Sequence, residues 1–117
     1  MSTDSTQPTT TETNSTIHHT DLTAFQLDLL AVTARLDAAV DQVYGLKIKR
    51  GLEDIHGEEI NHGRLYPNLD ELAEDGLIVK ESLAIDNRTN SYSVSDDGYR
   101  LLAERRAHLS HALEGGA

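Results

Sequence analysis

The chain of 117 residues has no cysteine and no tryptophan, one phenylalanine, one methionine, two prolines and only three lysines. Without cysteine there is no disulfide framework, thiolate zinc site, iron–sulfur cluster, cysteine nucleophile or thiol switch. Methionine occurs only at Met1, so methionine oxidation inside the fold is excluded as well. No apolar run is long enough to span a bilayer. The N-terminus has neither the basic nor the apolar region of a signal peptide, so the expected compartment is the cytosol. Catalytic signatures are missing too: there is no G-x-S-x-G, no phosphate-cradling glycine loop and no obvious carboxylate pair. An enzyme is therefore the remotest reading, and no cofactor is expected.

What the chain has in excess is acid. Twenty Asp and Glu stand against ten Lys and Arg, a formal charge of −10. The acids are spread along the chain, and Lys47, Lys49 and Lys80 are outnumbered by seven arginines. This pattern fits life in concentrated salt. At 1 M the Debye length shrinks to about 3 Å, so self-repulsion is screened while net charge maintains solubility.

Periodicity divides the chain. Residues 1–20 are polar and Ser/Thr-rich, with almost nothing to bury, and are expected to be a disordered arm. The last residues, 114–117, are expected to fray. Thr23 and Gln26 have the spacing of a capping box. Leu22, Phe25, Leu29, Val32 and Leu36 then recur at helical steps. Leu27 and Leu30 widen that face, so this first helix should be buried on more than one side. A second helix is predicted over 44–56, with Tyr44, Ile48, Leu52 and Ile55 as its stripe and Gly57 as its stop. A third is predicted over 61–75, with Leu65, Leu69 and Leu72 inward and Gly76 ending it. Pro67 suits that helix only if it falls in the first turn.

The period changes to strand-like over 77–95, around the turn residues Asp86-Asn87-Arg88-Thr89-Asn90. Ser95 can cap a last helix over 96–113, with Tyr99, Leu102, Leu109 and Leu113 as its stripe. The expected fold is mostly α with a β-hairpin wing. Residues 21–95 form a winged helix-turn-helix, followed by a C-terminal dimerisation helix.

Three separated motifs resemble one family. Gly63-Arg64-Leu65-Tyr66-Pro67-Asn68-Leu69, continued to Gly76-Leu77-Ile78, is similar to the G-x-L-Y-P-x-L-x-x-L-x-x-x-G-L-I signature of PadR-like winged-helix transcriptional regulators. Tyr92-Ser93-Val94-Ser95-Asp96-Asp97-Gly98 resembles that family's Y-x-L-T-x-x-G. Tyr44-Gly45-Leu46-Lys47-Ile48 resembles its G-Y-x-I helix opening, with the first two residues exchanged. The resemblance, with the acidic composition, implies a haloarchaeal member that regulates transcription. The default it implies is repression by occupying promoters. Many relatives carry a longer C-terminal helical domain than this chain has.

In such a fold the third helix enters the major groove by its N-terminal end. Asn61, His62, Arg64 and Asn68 are the candidates there, since arginine pairs bidentately with guanine and asparagine with adenine. Arg88 at the wing tip is the candidate for the minor groove. Lys47, Lys49, Arg50, Asn87, Thr89 and Asn90 are placed to hold phosphates, as is Tyr66 by the resemblance. Leu22, Phe25, Leu29, Leu102, Leu109 and Leu113 are the expected dimer contacts. His56 and His62 flank the turn before the third helix. His108 and His111 share a face with Glu104 but form no evident metal site.

The expected partners are double-stranded DNA and a second copy of the chain, with no membrane and an effector that the sequence does not name. Residues 51–76 hold Arg64 alone against eight acids, so potassium ions near the DNA interface are expected to screen them. The competing reading is a winged-helix protein-interaction module without DNA binding.

Overall fold

A computed structural model describes residues 17–82 and 90–115. The first helix, α1, spans Ala24–Ala39. It begins at the expected capping box: Gln26 N–H donates to Thr23 Oγ1 and Thr23 N–H to Gln26 Oε1, both at 3.1 Å. Phe25, Leu29, Leu30 and Val32 are buried. So is Thr33, whose hydroxyl donates to the Leu29 carbonyl at 2.8 Å. With apolar residues on adjacent faces, α1 runs through the core instead of lying on it.

Around α1 stand β1 (Val43–Tyr44), α2 (Gly45–His56), α3 (His62–Glu74), β2 (Ile78–Ser82), β3 (Asn90–Val94) and α4 (Asp96–Leu113). The three strands pair antiparallel in the order β1-β3-β2. The register sets Ile78 opposite Val94 and Ser82 opposite Asn90. This is a winged helix: α2, a short turn and α3 form the helix-turn-helix, and β2–β3 is the wing. Gly57 ends α2 at φ 70° and Gly76 follows α3 at φ 79°, conformations that cost glycine nothing. Asn61 caps α3 and Ser95 caps α4.

Two joints fix the wing to the helices. Ser95 N–H donates to the Leu77 carbonyl and its hydroxyl to the Gly76 carbonyl, at 3.1 and 2.6 Å. On the other side Asp37 Oδ2 accepts the Val94 N–H at 3.2 Å and the Tyr99 O–H at 3.4 Å. These contacts join α1, β3 and α4.

Several expectations need correction. The sheet has a third strand, because Val43 and Tyr44 pair with Tyr92 and Ser91. Two residues carry no period of their own, and only the partner strand makes them β. Tyr44 therefore points out, and Ile55 is exposed in the last turn of α2, beyond the core. The buried stripe of α2 is Gly45, Ile48, Gly51 and Leu52. Pro67 lies in the second turn of α3. An interior proline costs about 3 kcal/mol; burial of Leu65, Leu69 and Leu72 offsets it. On α4 the inward residues are Gly98 and Leu101, while Tyr99, Leu109 and Leu113 are exposed.

The arm ends earlier than expected. Residues 17–20 are docked, with a 3-10 turn over His19–Asp21. Glu104 on α4 accepts the His19 N–H at 3.0 Å and lies 3.3 Å from His18 Nδ1. Buried His19 also meets the ring of His108, at 5.1 Å between centroids. Residues 1–16, the remainder of that arm, lie outside the described residues. At the other end Glu114 caps α4.

A methyl group on Gly98 would collide with the Leu77 carbonyl and Val94 Cγ1. Gly98→Ala is expected to destabilise the domain by about 1–3 kcal/mol, read from denaturant unfolding in molar KCl. An unchanged midpoint would contradict this packing of α4 on the sheet.

Candidate nucleic-acid interface

The turn between α2 and α3 is set by one carboxylate. Glu53 Oε2 takes Lys49 Nζ at 2.6 Å and the Ile60 N–H at 3.0 Å. Lys49 is thereby withdrawn from the expected phosphate contacts, with its side chain only 13% exposed. It neutralises the carboxylate that closes the turn. Lys47 and Arg50 are exposed on α2 and form no ion pair among the described residues. His56 Nε2 lies 3.2 Å from Asp28 Oδ2, tying α2 to α1.

At the start of α3, Asn61 Oδ1 accepts the Arg64 N–H at 2.8 Å. Its expected role at a base edge is thus reduced to the amide nitrogen. His62 is exposed and meets Tyr66 edge-on at 5.6 Å. Tyr66 is half-buried, its hydroxyl pressed so closely on Gly45 that a Cβ there would collide with it. That contact explains the glycine at the start of α2 and puts the phenol beside backbone donors that no side chain caps.

Arg64 is exposed, and its guanidinium lies over the Phe25 ring, 3.9 Å from the centroid. Asn68 is half-buried: its Nδ2 donates to the Arg64 carbonyl at 2.7 Å, and its Oδ1 accepts from Gln26 Nε2 at 3.2 Å. Asn68 therefore holds the helix to α1, and its reach towards a base is limited by both bonds.

Acids on α3 are partly answered. Lys80 on β2 contacts Asp70 at 3.0 Å, and this hydrogen bond holds the lysine above its ordinary pKa. Asp75 is pushed up, first by burial and then by Glu71. In the wing, Asn90 is the first residue of β3, where its Oδ1 accepts the Ser82 hydroxyl at 3.2 Å, so it belongs to the ladder and not to the tip. Asn87, Arg88 and Thr89 lie outside the described residues. Three contacts beside α3 have no local motif to announce them, since the partners stand at least ten residues apart: Phe25 with Arg64, Gln26 with Asn68 and Lys80 with Asp70.

The expected dimer contacts divide. Phe25 and Leu29 are interior to the protomer and offer a partner nothing. Leu22 is half-buried. Leu102 and Leu109 line a mostly apolar groove of about 250 Å³ between α1 and α4, with Ala24, Leu27 and Ala31 and the charged Asp28 and Arg105. Leu113 is 88% exposed. Among the described residues no three His, Asp or Glu side chains gather as a metal site, and no helix is long and apolar enough to cross a membrane.

The Transcriptional regulator PadR-like family matches residues 36–104. The chain belongs to that family. Its members are transcriptional regulators and not enzymes. A transcriptional regulator of Mycobacterium tuberculosis, Rv3488, is 36% identical over 73 residues, covering 62% of this chain and 67% of its own. The structure of H. salinarum RosR grown from NaBr is 42% identical, with a TM-score of 0.64, covering 79% of this chain and 76% of that one. The complex structure of hsRosR-S4 is also 42% identical, with a TM-score of 0.67 and coverage of 80% and 75%. A PadR-like transcription factor from Bacteroides fragilis, 19% identical at a TM-score of 0.64, shares the fold. The chain is a DNA-binding transcription regulator with a winged helix.

Hydrogen bonds from Lys49 and the Ile60 N–H hold Glu53 below its ordinary value of 4.5. A carboxyl lowered by folding stabilises fully above its unfolded value, and the gain is lost as pH falls through the folded one. Glu53→Gln is expected to flatten the loss of stability below pH 4.5, measured by thermal unfolding. Glu104 is held low in the same sense, chiefly by the His19 N–H and then by His18. An unaltered acid limb would contradict the role of Glu53.

Proposed function

We propose that this regulator is a homodimer that reads palindromic promoter sites at high salt. One α3 would enter each major groove, with the adjoining wing at the minor groove. The observation that carries the reading is the start of α3: Arg64 is exposed, its guanidinium lies over a ring, and the guanidinium N–H groups form no hydrogen bond among the described residues. Arg64 and His62 supply base contacts, with a smaller share from Asn61 and Asn68. Arg88 reaches the minor groove, with Asn87 and Thr89 beside it and Asn90 held back in the ladder. Lys47, Arg50 and the Tyr66 hydroxyl hold phosphates around the open N-terminus of α2, where backbone donors favour an anion.

The groove between α1 and α4 takes the same surface of a second copy, with Leu102, Leu109 and Leu113 as its apolar contacts. Two-fold symmetry then sets half-sites about 10–10.5 bp apart, or a multiple. A haloarchaeal cytoplasm suits the acidic composition, and a stress role is consistent with the likeness to RosR. With no cysteine, the signal arrives through a ligand, ions, a partner or altered abundance. Potassium ions lie between the unpaired acids of α3 and the phosphates. Family membership argues against a protein-interaction module that has abandoned DNA.

The test is selection from a random duplex library at molar KCl, followed by titration of the recovered site against salt. A palindrome should emerge, with affinity that is flat or rises with KCl, unlike the steep fall of ordinary counterion release. No enrichment by folded, dimeric protein would contradict the reading, and a steep negative slope would remove the ions.

A further inference from the structure

We infer that Phe25 is a positioning residue for base recognition: its ring holds the Arg64 guanidinium in the orientation that reads DNA. The inference rests on the proposed role of Arg64 at a base edge. Phe25 belongs to the first turn of α1, and its ring is nearly buried, at 7% exposure. His56, itself paired with Asp28, packs against the ring at 6.2 Å between centroids. The platform is therefore fixed before DNA arrives.

The guanidinium lies 3.9 Å from the ring centroid. Its five N–H donors lie in its own plane. No hydrogen bond or ion pair among the described residues engages those donors, which leaves them available for the O6 and N7 of guanine. A carboxylate partner would have occupied the same donors. The backbone under Arg64 is held from the same turn of α1, since Gln26 binds Asn68 and Asn68 binds the Arg64 carbonyl. The arrangement also suits concentrated salt. An exposed ion pair between Arg64 and an acid would be screened within about 3 Å at 1 M, whereas ring contact includes dispersion and apolar burial, which salt does not screen.

The experiment is a double-mutant cycle in the full chain, using the duplex recovered by selection and variants of it at each base. Phe25→Leu keeps an apolar side chain but removes the ring; Phe25→Tyr keeps the ring. In the Arg64 background Phe25→Leu should weaken binding about two- to fivefold and flatten the preference at the base pair whose preference Arg64→Ala abolishes. Phe25→Tyr should retain that preference. In the Arg64→Ala background Phe25→Leu should change affinity less than about twofold.

An equal loss in both backgrounds would make Phe25 a purely structural residue and overturn the inference, leaving the role of Arg64 intact. No loss of affinity or base preference with Arg64→Ala would overturn that role and the inference with it. A measurement on the unaltered protein stands if Phe25→Leu does not fold. The Arg64 δ-methylene and Nε–H protons should be shifted upfield in the NMR spectrum by the ring current. Random-coil positions for these protons would overturn the inference.

Discussion

Everything in this domain depends on burying α1. Leu29, Leu30, Val32 and Thr33 are all fully enclosed. A helix of only sixteen residues reaches such burial when other elements pack on most of its sides. Each that does so inherits its position from α1. Asp37 near its end holds β3 and α4, and Asp28 holds the end of α2. Its first turn holds α3 through Phe25 and Gln26. The residues left over on its outer side, Ala24, Leu27 and Ala31, face the groove beside α4. The same helix thus touches the start of α3 with one side and the proposed dimer surface with another.

An acidic molecule that binds DNA has to economise on its cations. Two of its three lysines are committed within the fold: Lys49 closes the helix-turn-helix turn with Glu53, and Lys80 meets Asp70. These pairs neutralise acids close to the proposed interface, though they provide no free charge. Lys47, Arg50 and Arg64 are exposed. Where salt screens charge beyond a few ångströms, hydrogen bonds, ring contacts and apolar burial are the more durable means of orientation. The structure uses all three around Arg64.

The helices were legible because their signals are local. Capping residues, helical steps and the glycines after α2 and α3 lie within a few positions of what they determine. The wing strands announced themselves in the same way. The two-residue β1 did not, because only β3 makes it a strand. Pro67 left the start of that helix open in sequence, and the cap decides it: Asn61 starts the helix by accepting the Arg64 N–H, whatever stands six residues on. At the proposed interface, residue type does not reveal which side chains are already engaged inside the protomer. Lys49 and Asn68 look like DNA ligands in sequence, yet each has a closer partner inside the protomer. Phe25 and Leu29 fit an apolar stripe that could face either a core or a partner. Spacing cannot separate those cases, since both are water-excluding surfaces.

The absence of cysteine permits a direct test of how α3 meets DNA. A single cysteine at His62, His62→Cys, can carry an iron chelate that cleaves DNA locally. Bound to the selected duplex in molar KCl, it should cut both strands around one major groove in each half-site. The two sets of cuts should be related by the two-fold axis. Cleavage scattered along the duplex, or confined to a minor groove, would contradict the placement of α3 on which the account stands.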